Sequence, residues 1–299
     1  MIGYVKMKKA FLIILFLIVY ITLCGCSAGS GELIIGTKDF TEQYILGYIL
    51  ALYIEANTDI NTTVIRDLAS DVIFAGLRTG VVDIYVEYTG TIHSNYFSFF
   101  YPMSPEEVIR ITSSTIAENY GLYMFSPLGF NNSFELAIPR GIAYSHNVMT
   151  ISDLAAISPE LIMGGSPEFF RRSDGFPNLK RLYGLTFKEE RIVDHTDRYR
   201  AVSEDEIQVV EVFTTDGALL SYDLLVLEDD KNFFPPYQGV IITRQEILKS
   251  YPQLQSLLEA LSGQITDSVM RNLNYRVDIL GEDPRYVAES FLKDNRLIP

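Results

Sequence analysis

Cysteine is almost absent from this chain of 299 residues, because its only two cysteines, Cys24 and Cys26, lie near the amino terminus. The part of the chain after Cys26 therefore has no disulfide, no thiol nucleophile and no thiolate metal site. Its stability has to come from a hydrophobic core, and a hydrophobic content of 48% agrees with that requirement. The length is sufficient for a core divided between two lobes.

Histidine is also scarce, since only His93, His146 and His195 occur, and they stand in different surroundings. His93 is interpreted as a helix-surface residue. No His-Glu-x-x-His pattern is present, and Gly164-Gly165-Ser166 is too short for a phosphate-binding loop. Glu87 has no evident carboxylate partner. The sequence therefore predicts a protein that is not an enzyme and that holds no metal or other cofactor.

A positive surface is missing as well, because 38 acidic residues outnumber 24 basic ones and give a formal net charge of -14 at pH 7. Nucleic acid, which binds proteins through basic patches, is an unlikely partner. An acidic surface suits a body that is held near an anionic membrane without being pressed against it.

The first residues have the pattern of a signal peptide, predicted for residues 1–25. Lys6, Lys8 and Lys9 precede an apolar run from Ala10 to Leu23, and small residues follow it. The run is shorter than the roughly twenty residues that a membrane-spanning helix needs.

The sequence Leu23-Cys24-Gly25-Cys26 resembles the lipobox of bacterial lipoproteins. That resemblance implies that Cys26 receives a lipid and becomes the new amino terminus, which would anchor the protein to the outer side of the bacterial cell membrane. Residues 26–31 would then form a flexible tether. The alternative is a plain secretory signal with two incidental cysteines.

The rest of the chain alternates between short apolar strands and amphipathic helices. Strands near 33–36, 62–66 and 83–86 are separated by a helix from Thr41, taken as its cap, to about Glu55 and by a second helix at 70–78. This β-α-β-α-β order predicts an α/β fold with mostly parallel sheets flanked by helices. Further on, three helices are expected, at Arg244–Ser262, Thr266–Arg271 and Pro284–Lys293.

Two lobes are predicted, separated by a cleft. Lobe I comprises residues 32–132 and 238–299, and lobe II comprises residues 133–237. The chain crosses between them near Gly129–Asn132 and again near Pro235-Pro236-Tyr237, where consecutive prolines stiffen the backbone. Two such crossings can act as a hinge that closes the cleft.

The stretch from Asp83 to Thr91 is predicted to carry the site. It reads as a buried strand that ends at Tyr88 and passes into a helix start at Thr89-Gly90-Thr91. The carboxyl ends of strands in open α/β sheets bind ligands, and free N–H groups there favour an anionic group. Residues Val209 to Gly217 repeat the pattern in lobe II. A core tyrosine followed by an ordinary cap is the alternative.

Five motifs in order resemble the substrate-binding lipoproteins of glycine betaine, carnitine and choline ABC importers, and the similarity runs from about Leu33 to the end. They are Gly36-Thr37-Lys38-Asp39-Phe40-Thr41-Glu42-Gln43, Ile84-Tyr85-Val86-Glu87-Tyr88-Thr89-Gly90-Thr91, Phe130-Asn131-Asn132-Ser133-Phe134, Glu168-Phe169-Phe170-Arg171-Arg172-Ser173-Asp174-Gly175 and Phe233-Phe234-Pro235-Pro236-Tyr237. The resemblance implies a two-lobed periplasmic-binding-protein-like fold of type II.

The resemblance also implies the site residues. The aromatic cage for a trimethylammonium group would be formed by Tyr88, Phe134, Phe213 and Tyr237, and the carboxylate of a betaine would be held by Lys38, Thr91 and Arg172 with Gln43 beside them. Phe134 and Phe213 stand where the family has tyrosine, and Val86 replaces a proline. The lost hydroxyls predict weaker betaine binding or a bulkier, less hydrophilic ligand.

Each of these residues also has a structural interpretation. Lys38 and Gln43 could be solvated residues at a helix start. Arg172 could be a surface partner of Glu168 or Asp174, with Arg171 as the rival for its role, and the two phenylalanines could be plain core rings.

The sequence thus predicts a lipid-anchored binding protein that captures a quaternary ammonium compound and delivers it to an ABC permease with its ATPase. One alternative is the same fold with another betaine, such as ergothioneine, as ligand. The other is a surface sensor that signals to a receptor instead of feeding an importer.

Overall fold

The computed structural model describes residues 32–96, 104–172, 174–194 and 197–299. The predicted signal peptide, the lipid site at Cys26, the tether up to residue 31 and His195 lie outside the described residues. Within the described part of the chain, no helix combines the length and apolar character needed to span a membrane.

Lobe I begins with alternating strands and helices. They are β1 Glu32–Lys38, α1 Thr41–Asn57, β2 Asn61–Leu68, α2 Ser70–Thr79, β3 Ile84–Tyr88, α3 Thr89–Tyr96, α4 Pro105–Tyr120 and β4 Leu122–Met124. Thr41 does not cap α1, because the capping position belongs to Phe40 and the Thr41 hydroxyl donates to Asp278 Oδ1 at 2.5 Å. Helix α4 has a complete capping box between Ser104 and Glu107.

Lobe II is built from shorter elements. They are β5 Phe134–Pro139, α5 Arg140–His146, α6 Ile151–Ile157, β6 Ile162–Gly165, α7 Phe176–Tyr183, β7 Glu189–Ile192, α8 Arg198–Ser203, β8 Val209–Phe213 and β9 Leu224–Val226, with one-turn 3₁₀ helices at Ser158–Glu160 and Gly217–Leu220.

The chain then returns to lobe I. Strand β10 Gly239–Arg244 is followed by α9 Gln245–Ser250, α10 Gln253–Glu259, α11 Asp267–Asp278 and α12 Pro284–Asp294. The predicted continuous helix from Arg244 to Ser262 is wrong, because the run before it forms β10 and Pro252 separates two shorter helices. The boundaries of the two lobes at residues 132 and 237 remain our proposal.

The two sheets confirm the α/β class, but they are mixed where mostly parallel sheets were expected. The strand orders are β2-β1-β3-β10-β4 and β7-β6-β8-β5-β9. In the first sheet β1 is parallel to β2 and β3, whereas the returning β10 is antiparallel to β3 and β4. In the second sheet β5 is likewise antiparallel to β8 and β9.

Both faces of the first sheet are covered by core. Ile84 and Val86 of β3 pack with helix α1, whereas Tyr85 between them packs with Phe74 of α2 on the other face. Successive side chains of a strand point to opposite faces, so a strand buried on both sides is mostly apolar. This explains the apolar run Ile84-Tyr85-Val86, and the buried Glu87 that follows it is paired with Lys38.

The lobes touch beside the two crossings. Asn131 and Gln238 form an antiparallel bridge between the crossing segments, and Asn132 N donates to Tyr237 O at 3.0 Å. Helix α11 of lobe I packs against the turn that follows β8, where Arg271 donates to Thr214 O at 2.6 Å. A Cβ added to Gly217 would lie 2.4 Å from the Tyr275 backbone nitrogen.

We expect Gly217→Ala to lower the free energy of unfolding, by about 1–3 kcal/mol, because the added methyl group overpacks the backbone contact between the lobes. Gly141→Ala is the matched control, since nothing lies within 4 Å of a Cβ there. The control should leave stability unchanged or slightly raised, and urea unfolding measures both. Equal stability of the two variants would show that the backbone contact at Gly217 is not tight.

A second prediction concerns the carboxyl group of Glu135 on β5. Burial raises its pKa to about 7; the charges of Asp267 and Asp229 act in the same direction, and Arg271 opposes them. The folded protein therefore binds this proton more tightly than the unfolded chain, and stability falls as pH rises from about 4.5 to 7.

Glu135→Gln removes that loss. We expect the free energy of unfolding of the variant, relative to that of the wild type, to increase by roughly 1–3 kcal/mol as the pH is raised from 4 to 8. Urea unfolding at each pH measures this difference. Glu118→Gln, an exposed change of the same kind, should show no such trend. A gain for Glu135→Gln that is constant with pH would contradict the assignment.

Candidate functional site

Strand pairing brings the predicted cage residues to the junction of the lobes. Phe134 and Phe213 are directly opposite each other in the antiparallel pair β5–β8. Tyr88, the last residue of β3, is opposite Gly239 of β10, and Tyr237 lies two residues before Gly239. Strand ends from both sheets therefore meet beside the crossings.

Phe134, Phe213 and Tyr237 form what we call the three-ring cluster. The ring centroid of Phe134 lies 4.9 Å from that of Phe213 and 6.3 Å from that of Tyr237, and the second pair is arranged edge to face. Tyr237 also covers Gly90, where a Cβ would lie 2.6 Å from the ring. Glycine at position 90 thus permits the close approach of the tyrosine.

Tyr88 lies outside the three-ring cluster. Its ring stacks with Phe40 at 6.2 Å and meets the edge of Phe130 at 6.4 Å, and the Lys38 ammonium is 5.0 Å from its centroid. The structure thus brings two of the four predicted cage rings, Phe213 and Tyr237, into contact with a third, Phe134, and puts the fourth on lobe I. Phe40 is a further ring at the site that the sequence did not single out.

Lys38 and Gln43 are both buried, with 5% and 1% of their surfaces exposed, so neither is a solvated helix-start residue. The Lys38 ammonium forms an ion pair with Glu87. Gln43 Nε2 donates to the Tyr88 hydroxyl at 3.1 Å and to Val86 O at 3.0 Å. Gln43 therefore holds the Tyr88 hydroxyl in place by a hydrogen bond. Thr91 is buried in the first turn of α3.

Arg172 is paired within the protein and reaches the three-ring cluster at the same time. Its Nε and Nη2 donate to the two oxygens of Asp174 at 2.8 and 2.6 Å, and its Nη1 donates to Glu168 at 3.0 Å. Nη2 also donates to the Tyr237 hydroxyl at 3.0 Å, and the guanidinium lies 5.8 Å from the centroid of Phe134. Arg172 thus pairs with both Glu168 and Asp174, as the structural interpretation of this residue expected. It is nevertheless partly buried and contacts two rings of the three-ring cluster.

The same contacts determine the ionisation of the Asp174 carboxyl group. Burial alone would raise the pKa of the Asp174 carboxyl, but the hydrogen bond and charge of Arg172 bring that pKa below its ordinary value. Asp174 also accepts from the Tyr237 hydroxyl. The neighbouring Arg171 is exposed and donates to Pro167 O at 3.0 Å, away from this network.

Arg198 lies beside the three-ring cluster, and the sequence analysis did not single it out. Its buried guanidinium lies 5.3 Å from the centroid of Phe213 and forms ion pairs with Asp216 and, at 3.7 Å, with Glu211. Nothing in the sequence distinguishes it from the surface arginines nearby, because its position depends on the contact between α8 and β8.

Glu42 was also missed, although it lies within a quoted motif. It is buried in the first turn of α1, and its carboxylate accepts from the Tyr88 hydroxyl at 2.7 Å, Asn132 Nδ2 at 2.8 Å and Asn274 Nδ2 at 3.0 Å. Burial raises the pKa of the Glu42 carboxyl, although these hydrogen bonds oppose the shift. The sequence signal that could have pointed to Glu42 was an acidic residue next to Gln43 at the start of an otherwise apolar helix.

His93 corrects an expectation, because it is buried, with 5% of its surface exposed, and is not a helix-surface residue. Among the described residues, no group of three or more histidine, cysteine, aspartate or glutamate side chains is arranged to hold a metal ion. The arrangement described above is one of aromatic faces surrounded by paired charges, which can bind an organic cation.

Comparison with known proteins agrees with this chemistry. The family model described as the substrate-binding domain of the ABC-type glycine betaine transport system matches residues 31–294. The carnitine transport binding protein OpuCC of Listeria monocytogenes is 30% identical, over 97% of this chain and 98% of its own length. A crystal structure titled as a glycine betaine/carnitine/choline ABC transporter superposes with a TM-score of 0.82 at 31% identity, covering 89% of this chain and 99% of that one.

A third relative is the ergothioneine transport permease/ergothioneine binding protein EgtU of Helicobacter pylori, which is 36% identical over 87% of this chain. The chain spans about half of that protein, 47% of its length. The family match over nearly the whole described chain, together with the Listeria relative of equal length, shows that this chain belongs to the substrate-binding proteins of ABC-type glycine betaine transport systems.

Proposed function

We propose that the eight residues named from the sequence form the ligand site, and that the protein captures a small quaternary ammonium compound there and delivers it to an ABC permease. The three-ring cluster at the lobe junction is the observation that supports this proposal most strongly. Its rings come from lobe II and from the crossing segment, and Tyr88 provides a fourth ring on lobe I. Closure of the lobes would bring the two groups around one ligand.

Aromatic faces suit this ligand class because a quaternary ammonium has no N–H to donate. Only ring faces and shape can hold it, and each desolvated cation–π contact contributes about 2 kcal/mol at most. Micromolar binding requires about 8 kcal/mol. Four rings are therefore sufficient, and the protein acts as a binding protein without a catalytic step.

The charged residues determine how the carboxylate end of a betaine would be held. Arg172 and Lys38 are each paired with an internal carboxylate, Asp174 and Glu87. A ligand carboxylate would share these cations with those partners, and Thr91 would add a hydroxyl. This sharing favours moderate affinity for a short betaine over the tight binding that a free arginine fork would give.

A second candidate ligand is a betaine with a larger body, such as ergothioneine. Two observations favour it. The Helicobacter relative is named for ergothioneine. Phe134 and Phe213, which replace tyrosines of the family pattern, make the cleft less hydrophilic and suit a bulkier ligand.

We further propose that the protein is extracytoplasmic and anchored by lipid at Cys26. The lipobox resemblance at Leu23-Cys24-Gly25-Cys26 supports this location, and so does membership of a transport family. The short tether that follows would let the lobes move above the membrane.

Isothermal titration of the purified mature chain tests the ligand class. We expect saturable heat with at least one of glycine betaine, carnitine, choline and ergothioneine, because each carries the trimethylated nitrogen that the rings bind. Proline, which lacks methyl groups on nitrogen, serves as the negative control. If none of the four compounds produces heat or a thermal shift, the proposed class is refuted.

The same titration with Arg172→Ala identifies its role, and Arg171→Ala is the matched control. Loss of Arg172 should weaken glycine betaine by at least about tenfold but choline only slightly, since choline has no carboxylate. Arg171→Ala should affect neither ligand. An equal loss of affinity for both ligands with Arg172→Ala would assign the residue a purely structural role.

Lipid attachment can be tested in cells that are fed a labelled fatty acid. Cys26→Ser should abolish incorporation of the label and move the protein out of the detergent phase, because the acceptor thiol is gone. Cys24→Ser, the control, should remain labelled. Labelling that depends on Cys24 instead would place the cleavage site two residues earlier.

A further inference from the structure

Among the described residues, every buried acidic side chain except one forms an ion pair. Those that expose less than a tenth of their surface are Glu42, Asp83, Glu87, Asp174 and Glu211. Each of the last four forms an ion pair, with Arg244, Lys38, Arg172 and Arg198 respectively. Glu42 forms none within the described residues and is bonded by neutral groups alone.

Those neutral groups come from separate parts of the molecule. The Tyr88 hydroxyl belongs to β3, Asn132 to the first crossing and Asn274 to α11, and Asn274 Nδ2 also donates to Thr215 O of lobe II at 2.9 Å. The carboxylate of Glu42 therefore sits at the junction of the lobes. It is saturated with hydrogen bonds but has no compensating positive charge.

The ionisable groups on the elements around α1 are already engaged with other partners. Lys38 of β1 is paired with Glu87 of β3, Arg66 of β2 lies over the Tyr44 ring, Arg285 of α12 lies over the Tyr48 ring, Asp278 of α11 accepts from Thr41, and Glu259 of α10 accepts from Ser126 N. Asp216 of lobe II raises the pKa of the Asp278 carboxyl, after burial, which is the larger cause. On α11, Arg271 donates to Thr214 O and Arg276 is paired with Glu282. None of these cations forms an ion pair with Glu42.

A buried carboxylate without a counter-ion is costly, by several kcal/mol per ion. A cation that enters the cleft would compensate it. Tyr88 connects the two, because its hydroxyl donates to Glu42 while its ring belongs to the proposed cage. A phenol that donates to a carboxylate is polarised, which makes its ring face more negative and a better partner for a cation. Burial and the charge of Glu42 raise the pKa of the Tyr88 hydroxyl, so the hydroxyl keeps the donated proton.

We propose that Glu42 is a specificity-determining residue, which acts through Tyr88 so that the cleft selects a fixed positive charge over a neutral ligand of the same shape. This role rests on the proposed function. It adds to the proposed role of the three-ring cluster, whose ring faces attract the cation directly.

The test compares choline and glycine betaine with their neutral-centred analogues, in which a quaternary carbon replaces the quaternary nitrogen. The wild type should prefer the charged centre in each pair. Glu42→Gln keeps the size and hydrogen-bonding capacity of the side chain, so it should reduce this preference by about tenfold and change affinity for the carbon analogues by less than about twofold. Glu118→Gln, on the exposed face of α4, should retain the full preference.

Three outcomes are distinguishable. A wild type that binds no quaternary ammonium refutes the proposed function, and Glu42 falls with it. A folded Glu42→Gln protein with the wild-type preference overturns the role of Glu42 alone. An equal loss of affinity for charged and neutral members of each pair also overturns it, because such a loss is structural.

The wild-type protein provides a second measurement if Glu42→Gln does not fold. Because burial raises the pKa of Glu42, its ionised fraction should increase with pH above the ordinary glutamate range. Affinity for choline should then increase as the pH is raised through and above that range, with release of protons on binding, while affinity for the neutral carbon analogue stays constant. Tyr88→Phe should flatten the choline profile. A choline affinity that is flat in the wild type contradicts the proposal.

Discussion

The antiparallel pairing of the returning strand β10 with β3 is the constraint on which the site depends. It aligns Gly239 with Tyr88 and so puts Tyr237 over Gly90, at the same end of the sheet. From there the Tyr237 ring, at the second crossing, lies 6.3 Å from the ring of Phe134 in lobe II. The rings that meet at the junction are therefore held by backbone hydrogen bonds within a sheet. A ligand site built in this way needs few flexible loops to be assembled.

Charge around these rings is balanced pair by pair, apart from Glu42. Arg172 and Lys38, the cations expected to receive a ligand carboxylate, are engaged with Asp174 and Glu87. These pairs prevent the empty cleft from carrying a strong positive potential, which would repel a cationic ligand. The unpaired carboxylate adds a negative potential instead. In the proposed site, affinity would therefore depend on ring contacts and on this local imbalance more than on a direct salt bridge.

The sequence predicted much of this arrangement, and the limits of the prediction have physical causes. The strands β1 and β3 were recognisable because most of their residues are buried on both faces, which favours apolar runs such as Leu33-Ile34-Ile35 and Ile84-Tyr85-Val86. Strand β10 was not predicted, because Val240, Ile241 and Ile242 are equally compatible with a strand or with the start of the following helix. The mixed sheets follow from that one strand and from β5. Glu42 and Arg198 escaped notice because burial of a charge is decided by tertiary contacts and leaves little local pattern.

Proton NMR of the bound ligand tests the central claim most directly, namely that aromatic rings from both lobes enclose a trimethylated nitrogen. With the protein labelled on phenylalanine and tyrosine, the ligand methyl protons should shift upfield from the ring currents. They should also show Overhauser contacts to Phe134, Phe213, Tyr237 and Tyr88. Methyl signals that remain at their free position, with contacts to other residues only, would contradict the account.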